Sequence, residues 1–291
     1  MMANLLQTIS DSYIGYFNYL KSEILYPSWN NYFYWLLALS LLVWLLELVF
    51  PWRKEQAIFR KDFWLDGFYM FFNFFLFSLI GFNAISNVGV DFFNQFLALF
   101  GVSNVVAFQI QQWPIWSQYL LMFILADFIQ WNIHRMLHKN KYLWEFHKVH
   151  HSVQEMGFAA HFRFHWMETI IYKTIQYIPL AMIGFGIRDF FIIHIVAVAI
   201  GHLNHANIKL TYGPLKYIFN NPVMHLWHHA RHLPGNRYGV NFGLSLSVWD
   251  YLFKTAYIPN EKGNQPLGFE EVEKFPSSFL KQEVYPFHKK N

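Results

Sequence analysis

Eight histidines of this 291-residue chain fall into three spaced boxes, His134-xxx-His138, His147-xx-His150-His151 and His225-xx-His228-His229. Residues three or four apart on a helix lie about one turn above each other and share a face. His134 and His138 can therefore point at one site. His147, His150 and His151 likewise span an arc of roughly 100°. One unbroken helix through both boxes would turn the second about 220° away from the first. A break is therefore expected near Lys139-Asn140, with two helix ends converging on one centre.

Neutral imidazoles gathered this closely have few stable uses other than holding metal, because protonated ones would repel each other. Imidazole suits iron, zinc, copper and nickel. Eight nitrogens exceed the needs of one ion and are about right for two. A zincin would carry His-Glu-xx-His and a di-iron carboxylate bundle paired Glu-xx-His motifs, and neither pattern occurs in the sequence.

The elements that must position these boxes are membrane elements. Hydrophobic residues make up 55% of the chain, aromatic residues 21% and charged residues 14%. There is no cysteine, which excludes disulfides, iron-sulfur clusters and thiolate metal or haem ligands. The net charge of +4 is scattered through aromatic sequence. It fits lipid headgroups and membrane topology, not nucleic acid.

Met1 to Ser28 lacks the features of a signal peptide and is expected to lie at the membrane surface. Residues 31–50 are long enough to cross the roughly 30 Å hydrocarbon layer, and 63–82 form a second span. Arg53, Lys54, Arg60 and Lys61 between them mark the cytoplasmic side. No lysine or arginine occurs from Phe82 to His134, so an extracytoplasmic hairpin is expected near 83–117. Leu120 to Ile133 returns the chain to the cytoplasm, where Arg135, Lys139, Lys141 and Lys148 accompany the first two boxes. Trp166–Gly186 and Asp189–Leu203 are apolar but short or interrupted by Glu168, Lys173 and His194, and read as a tilted or partial hairpin. Turn signals at Tyr212-Gly213-Pro214, Asn221-Pro222 and Pro234-Gly235 then open a cytosolic cap. The fold expected is an all-α integral membrane protein, with about four transmembrane helices in two hairpins and a cytosolic helical cap holding a histidine-rich dimetal site. Residues 1–119 form the N-terminal membrane region, 120–257 the catalytic region and 258–291 a polar C-terminal tail.

Asp127 shares a helical stripe with Trp131, His134 and His138. It is expected either to orient a ligating imidazole or to pair with another donor. His165 is expected to make a structural contact with Glu168 three residues on, although it could ligate. His161, His194 and His288 read as ordinary, and His232 as a spare beside His228. Arg163 reads as a structural or headgroup contact.

The order HxxxH, HxxHH, HxxHH resembles that of the sterol desaturase and fatty acid hydroxylase superfamily of membrane di-iron oxygenases. The likeness runs from about Asp127 to Tyr257. Arg163-Phe164-His165-xx-Glu168, His205-Ala206-Asn207, Asn241-Phe242-Gly243 and Trp249-Asp250-xx-Phe253 agree with it, and Lys254 stands where the family commonly has glycine. The resemblance implies two iron ions held by His134, His138, His147, His150, His151, His225, His228 and His229, with dioxygen as oxidant and a lipid C–H bond as target. Zinc is expected as a replacement in purified protein. In the hydroxylase branch a further pair completes the ligand set, and His202 and His205 are the nearest match, spaced HxxH where that branch has HxxxH. Asn207 joins Asp127 and His165 as a residue expected to support the ligands.

The function expected is hydroxylation of a lipid, the substrate entering from the bilayer. Desaturation and pterin-dependent ether-lipid cleavage are its competitors. Electrons would come from a cytochrome b5-, ferredoxin- or pterin-type donor, since no dinucleotide fingerprint is present. A haem or metal-binding electron carrier is the non-enzymatic alternative, but it would place facing histidines at membrane depth. A zinc hydrolase would need a general-base glutamate beside the boxes.

Overall fold

The computed structural model describes residues 2–29, 31–76, 95, 98–101, 110–185, 187–235 and 237–288. Among these the regular structure is helical, and strand-like pairing is confined to three isolated bridges. Helix α1 (Met2–Leu25) leads into α2 (Tyr32–Val49), an apolar run whose one charge is Glu47. Among the described residues α2 alone is long and apolar enough to cross a membrane. Helix α3 (Phe63–Phe71) continues as a π-helical turn over Phe72–Leu76. The rest of the second expected span and most of the expected 83–117 hairpin lie outside the described residues.

Helix α4 (Ile115–Lys139) carries the first box in its last two turns. It ends at Asn140, whose extended backbone (φ −89°, ψ 120°) turns the chain into α5 (Lys141–His151). The Asn140 side chain accepts hydrogen bonds from the Tyr142 and Leu143 amides at 2.9 and 3.2 Å, the pattern of an N-cap. This break is what brings the first two boxes together. Helices α6 (Trp166–Ile183) and α7 (Ile187–His205) form the apolar pair, and α7 delivers His202 and His205 in its last turn.

After α7 the chain folds back over the box region. Asn221 caps α8 (Pro222–His228), accepting from the Met224 amide at 3.0 Å with Pro222 at the first helical position. A short helix α9 (Val248–Leu252) follows. Within the polar tail, α10 (Phe279–His288) packs against α5, and Tyr69 of α3 donates to buried Gln282 at 2.9 Å.

Two carboxylates, half-buried Glu47 and fully buried Asp66, tie α2 and α3 to the region of the boxes. Glu47, at the end of α2, accepts from the Phe158 and Asn207 amides, both at 2.8 Å. Asp66 of α3 pairs with Arg60 and with Arg163, the latter at 2.8 Å, and Asp62 adds a 3.1 Å contact to Arg163. Arg163 is fully buried, so charge partners are required at this position. Its role is structural.

Candidate metal centre

The histidines assemble into two buried groups. His134, His138, His147, His151 and His228 form one, and His150, His205, His225 and His229 the other. Within each group the ligand atoms all lie within 4.8 Å of one another. The groups adjoin, with the His151 and His229 rings stacked at 4.4 Å. Each His-xx-His-His box is divided between them. His147 and His151 stay together while His150 crosses over, and His225 and His229 stay together while His228 crosses back. The i, i+4 pairs share a helix face and the middle histidine leans to the other side.

Tautomers are fixed from outside the groups. His134, His138, His150, His205 and His228 donate from Nδ1 to the carbonyls of Phe242 (2.8 Å), Tyr238 (3.2 Å), Arg163 (3.0 Å), Gly201 (2.7 Å) and Val240 (2.8 Å). His147 Nδ1 donates to the Glu168 carboxylate at 2.7 Å. A neutral imidazole that donates from Nδ1 has a bare lone pair on Nε2. Such nitrogens face each other at 3.3 Å between His150 and His205 and, with Glu168 ionised, at 3.1 Å between His134 and His147. No proton is available to lie between them, and two bare lone pairs at that distance repel. A cation with metal–nitrogen bonds of about 2.1 Å would hold two adjacent ligands about 3.0 to 3.4 Å apart. The donor set therefore fits metal ions, with the outer hydrogen bonds that metal-binding histidines require.

Burial, followed by the mutual repulsion of the imidazoles, holds His147, His151, His225, His228 and His229 well below the ordinary histidine range. The same causes push His150 down to about 3. The rings are thus neutral near pH 7, as ligation demands.

The carbonyls that orient His138, His228 and His134 belong to Tyr238, Val240 and Phe242, alternate residues of one loop. Asn241 shapes that loop in the left-handed region (φ 51°), its side-chain amide donating to the Met224 and Tyr257 carbonyls at 2.8 Å. Asp250 accepts from the Phe242 and Gly243 amides at 2.9 and 2.8 Å and from the Trp131 indole at 3.1 Å. Asp127 accepts from the Ser245 and Leu246 amides and the Trp249 indole at 2.9, 3.2 and 3.0 Å. Its bonds thus go to the loop, the other-donor alternative, and not to an imidazole.

Other expected residues stand apart from the groups. His202 donates from Nδ1 to the Phe158 carbonyl at 3.2 Å and accepts from the Ser40 hydroxyl at 3.0 Å, so both its nitrogens are engaged. His165 donates to the Glu283 carbonyl at 2.7 Å and accepts from the Met167 amide at 3.0 Å. Its expected partner Glu168 serves His147 instead. Asn207 accepts from the Arg53 amide at 2.9 Å and anchors the α2–α3 connection. Sequence reasoning missed Glu168 as an imidazole partner and the carbonyls of 238–242. The first stood inside a noted motif, Arg-Phe-His-xx-Glu, but was matched with its nearest histidine.

A cavity of about 140 Å³ touches both groups, reaching His134, His147, His150, His205 and His225 between walls that include Phe162, Phe164, Ala197, Val198 and Leu244. It shares Gln130, Gln176, His194, Ala197 and Leu244 with a second cavity of about 40 Å³ that extends between α4 and α7 to Met122 and Phe190. A separate basin of about 450 Å³ reaches His138, His151 and His228 past Trp144, Lys148, Arg231 and Arg237.

Residues 119–255 match the sequence profile of the fatty acid hydroxylase family. Over 180 residues, 62% of this chain, the sequence is 35% identical to ornithine lipid hydroxylase from Rhizobium tropici, covering 53% of that protein. It is 31% identical over 150 residues to alkylglycerol monooxygenase from Homo sapiens, covering 50% of this chain and 32% of that one. Very-long-chain aldehyde decarbonylase from Oryza sativa subsp. japonica is 26% identical over 142 residues, or 48% of this chain and 46% of that one. The chain thus spans about half, or less, of the length of these relatives. No solved structure matches it.

Proposed function

We propose that this chain, whose histidine-box region resembles the sterol desaturase and fatty acid hydroxylase superfamily, is a multi-pass membrane oxygenase that hydroxylates a lipid C–H bond. The single observation that carries this reading is the pairing of bare imidazole nitrogens in two adjoining buried groups, opening on an apolar cavity. Two iron ions are the cofactor proposed, with zinc able to occupy the same nitrogens. When bound, they would supply reductive activation of dioxygen, one oxygen atom entering the C–H bond and the other leaving as water with two electrons and two protons from an external donor.

The chain's own residues bind, orient and exclude. His134, His138, His147, His151 and His228 would hold one ion, and His150, His205, His225 and His229 the other. Glu168 and the carbonyls of the 238–242 loop fix the rings. Phe162, Phe164, Val198 and Leu244 keep the reacting carbon in a dry, apolar slot, which limits side reactions. The substrate is a lipid whose apolar chain runs from the first cavity toward Met122. The basin past Trp144 and Lys148 offers the donor an approach from the opposite side. The placement of Arg53, Lys54, Arg135 and Lys139 supports a cytoplasmic site on a chain of about four membrane segments.

Similarity to alkylglycerol monooxygenase favours one second reading, oxidation of an ether lipid with a pterin-type donor. One experiment tests both. Cells expressing the chain are grown under labelled dioxygen and their lipids compared by mass spectrometry with cells expressing His134→Ala. A new lipid alcohol carrying one labelled oxygen is expected. Loss of an ether lipid with a labelled aldehyde would favour the second reading, and an unlabelled, newly unsaturated product would overturn both.

A further inference from the structure

The two groups are unequal, five imidazoles against four, and a tenth histidine stands beside the smaller one. His161 lies in a 3-10 turn (Phe158–Phe162) and lines the same cavity as His150, His205 and His225. Its ring centroid is 5.3 Å from that of His205, with the planes 35° apart. Its Nδ1 is buried without a hydrogen-bond partner, an unusual state for an interior imidazole nitrogen. The space it occupies exists because residue 201, one helical turn before His205, is glycine: a Cβ there would collide with the His161 ring.

A histidine serving only to fill space would leave a polar atom unsatisfied where a leucine would not. The half-buried His161 ring lies between His202, at 5.2 Å, and His205, and ligating a cation would satisfy its enclosed Nδ1. We infer that His161 is a fifth nitrogen donor to the ion held by His150, His205, His225 and His229, reaching it by side-chain rotation within the cavity. This rests on the dimetal reading above. Gly201 is then a specificity device of this chain, since it leaves room for a ligand from the 158–162 turn where another residue would close the space.

The test is made on the full chain purified in detergent and loaded with cobalt(II), whose visible absorption distinguishes four from five ligands. His161→Ala is expected to keep the first ion, to lose the second to a chelator at least about tenfold faster than wild type, and to shift the second ion's absorption toward that of a four-coordinate site. Gly201→Ala, which keeps the histidine but displaces its ring, is expected to reproduce both changes. Retention of the first ion reports that each variant is folded. Wild-type exchange kinetics and an unchanged spectrum in His161→Ala would overturn the inference while leaving the dimetal reading intact. A wild-type chain that binds fewer than two ions would overturn that reading itself.

Discussion

Glu168 is the side chain on which the orientation of His147 depends. Replacing it with glutamine keeps the size and removes the charge that polarises the ring. Loss of such a partner typically costs 10- to 100-fold in metal affinity. Chelator competition on Glu168→Gln should show about that weakening for one ion and little change for the other. Ala197 marks the junction of the two cavities, so Ala197→Phe should obstruct the slot. Yield of the oxidised lipid is expected to fall about tenfold or more, with the metal content unchanged. At this scale the sequence was informative in an uneven way. Spacing identified the box histidines as co-facial, but the exchange of His150 and His228 between the two groups depends on how α5 and α8 face each other. The carbonyls of Tyr238, Val240 and Phe242 leave no trace in residue identity, and only Asn241 and Gly243 marked that loop as special.

Among the elements, the break between α4 and α5 was legible because 13 residues of helix would have put the boxes out of phase, and Asn140 is a good cap. Asn140→Ala should lower stability by about 1 kcal/mol, read as a reduced melting temperature in detergent. The docking of α10 was hidden, since Phe279–His288 reads as a polar tail, whereas Phe279 packs on Phe68, Tyr69 and Phe72 and Phe287 on Phe146 and Trp166 beside the Tyr69–Gln282 hydrogen bond. That docking should depend on pH. Burial pushes Glu283 up to about 7 and His165 down to about 4, so both favour their neutral forms when α10 is docked. Between pH 6.5 and 8 docked His165 is neutral, and free it falls from about half protonated to neutral, an opposing effect smaller than that of Glu283. Glu283 dominates the change: free it is ionised, and docked it holds a proton that it loses as pH rises through about 7. The docked state therefore binds more protons in this window, and stability falls as pH rises. Hydrogen exchange of the Phe279–His288 amides should accelerate from pH 6.5 to 8 beyond the intrinsic rate increase, and Glu283→Gln should remove the excess.

For the whole molecule, composition led to the expectation of a membrane protein and the distribution of lysine and arginine to one of sidedness, and among the described residues α2 is long and apolar enough to cross a membrane. The packing of α3, α6 and α7 was less legible, because Asp66, Glu168 and His194 interrupt their apolar runs, and these side chains meet Arg163, His147 and the Tyr32 ring. The chain has no cysteine, so single cysteines report topology without background. Lys54→Cys and Lys281→Cys should be labelled from the cytoplasmic side by an impermeant maleimide, and Trp113→Cys from the opposite side. Labelling of all three from one side would contradict the proposed arrangement.

The account stands on two ions held by two separable sets of imidazoles. Elemental analysis of the purified chain tests this most directly when wild type is measured beside His138→Ala and His229→Ala. Two irons per chain are expected in the wild type and about one in each variant, a different ion being lost in each case. A wild type holding one ion or none, or a haem signature in place of non-haem iron, would contradict it.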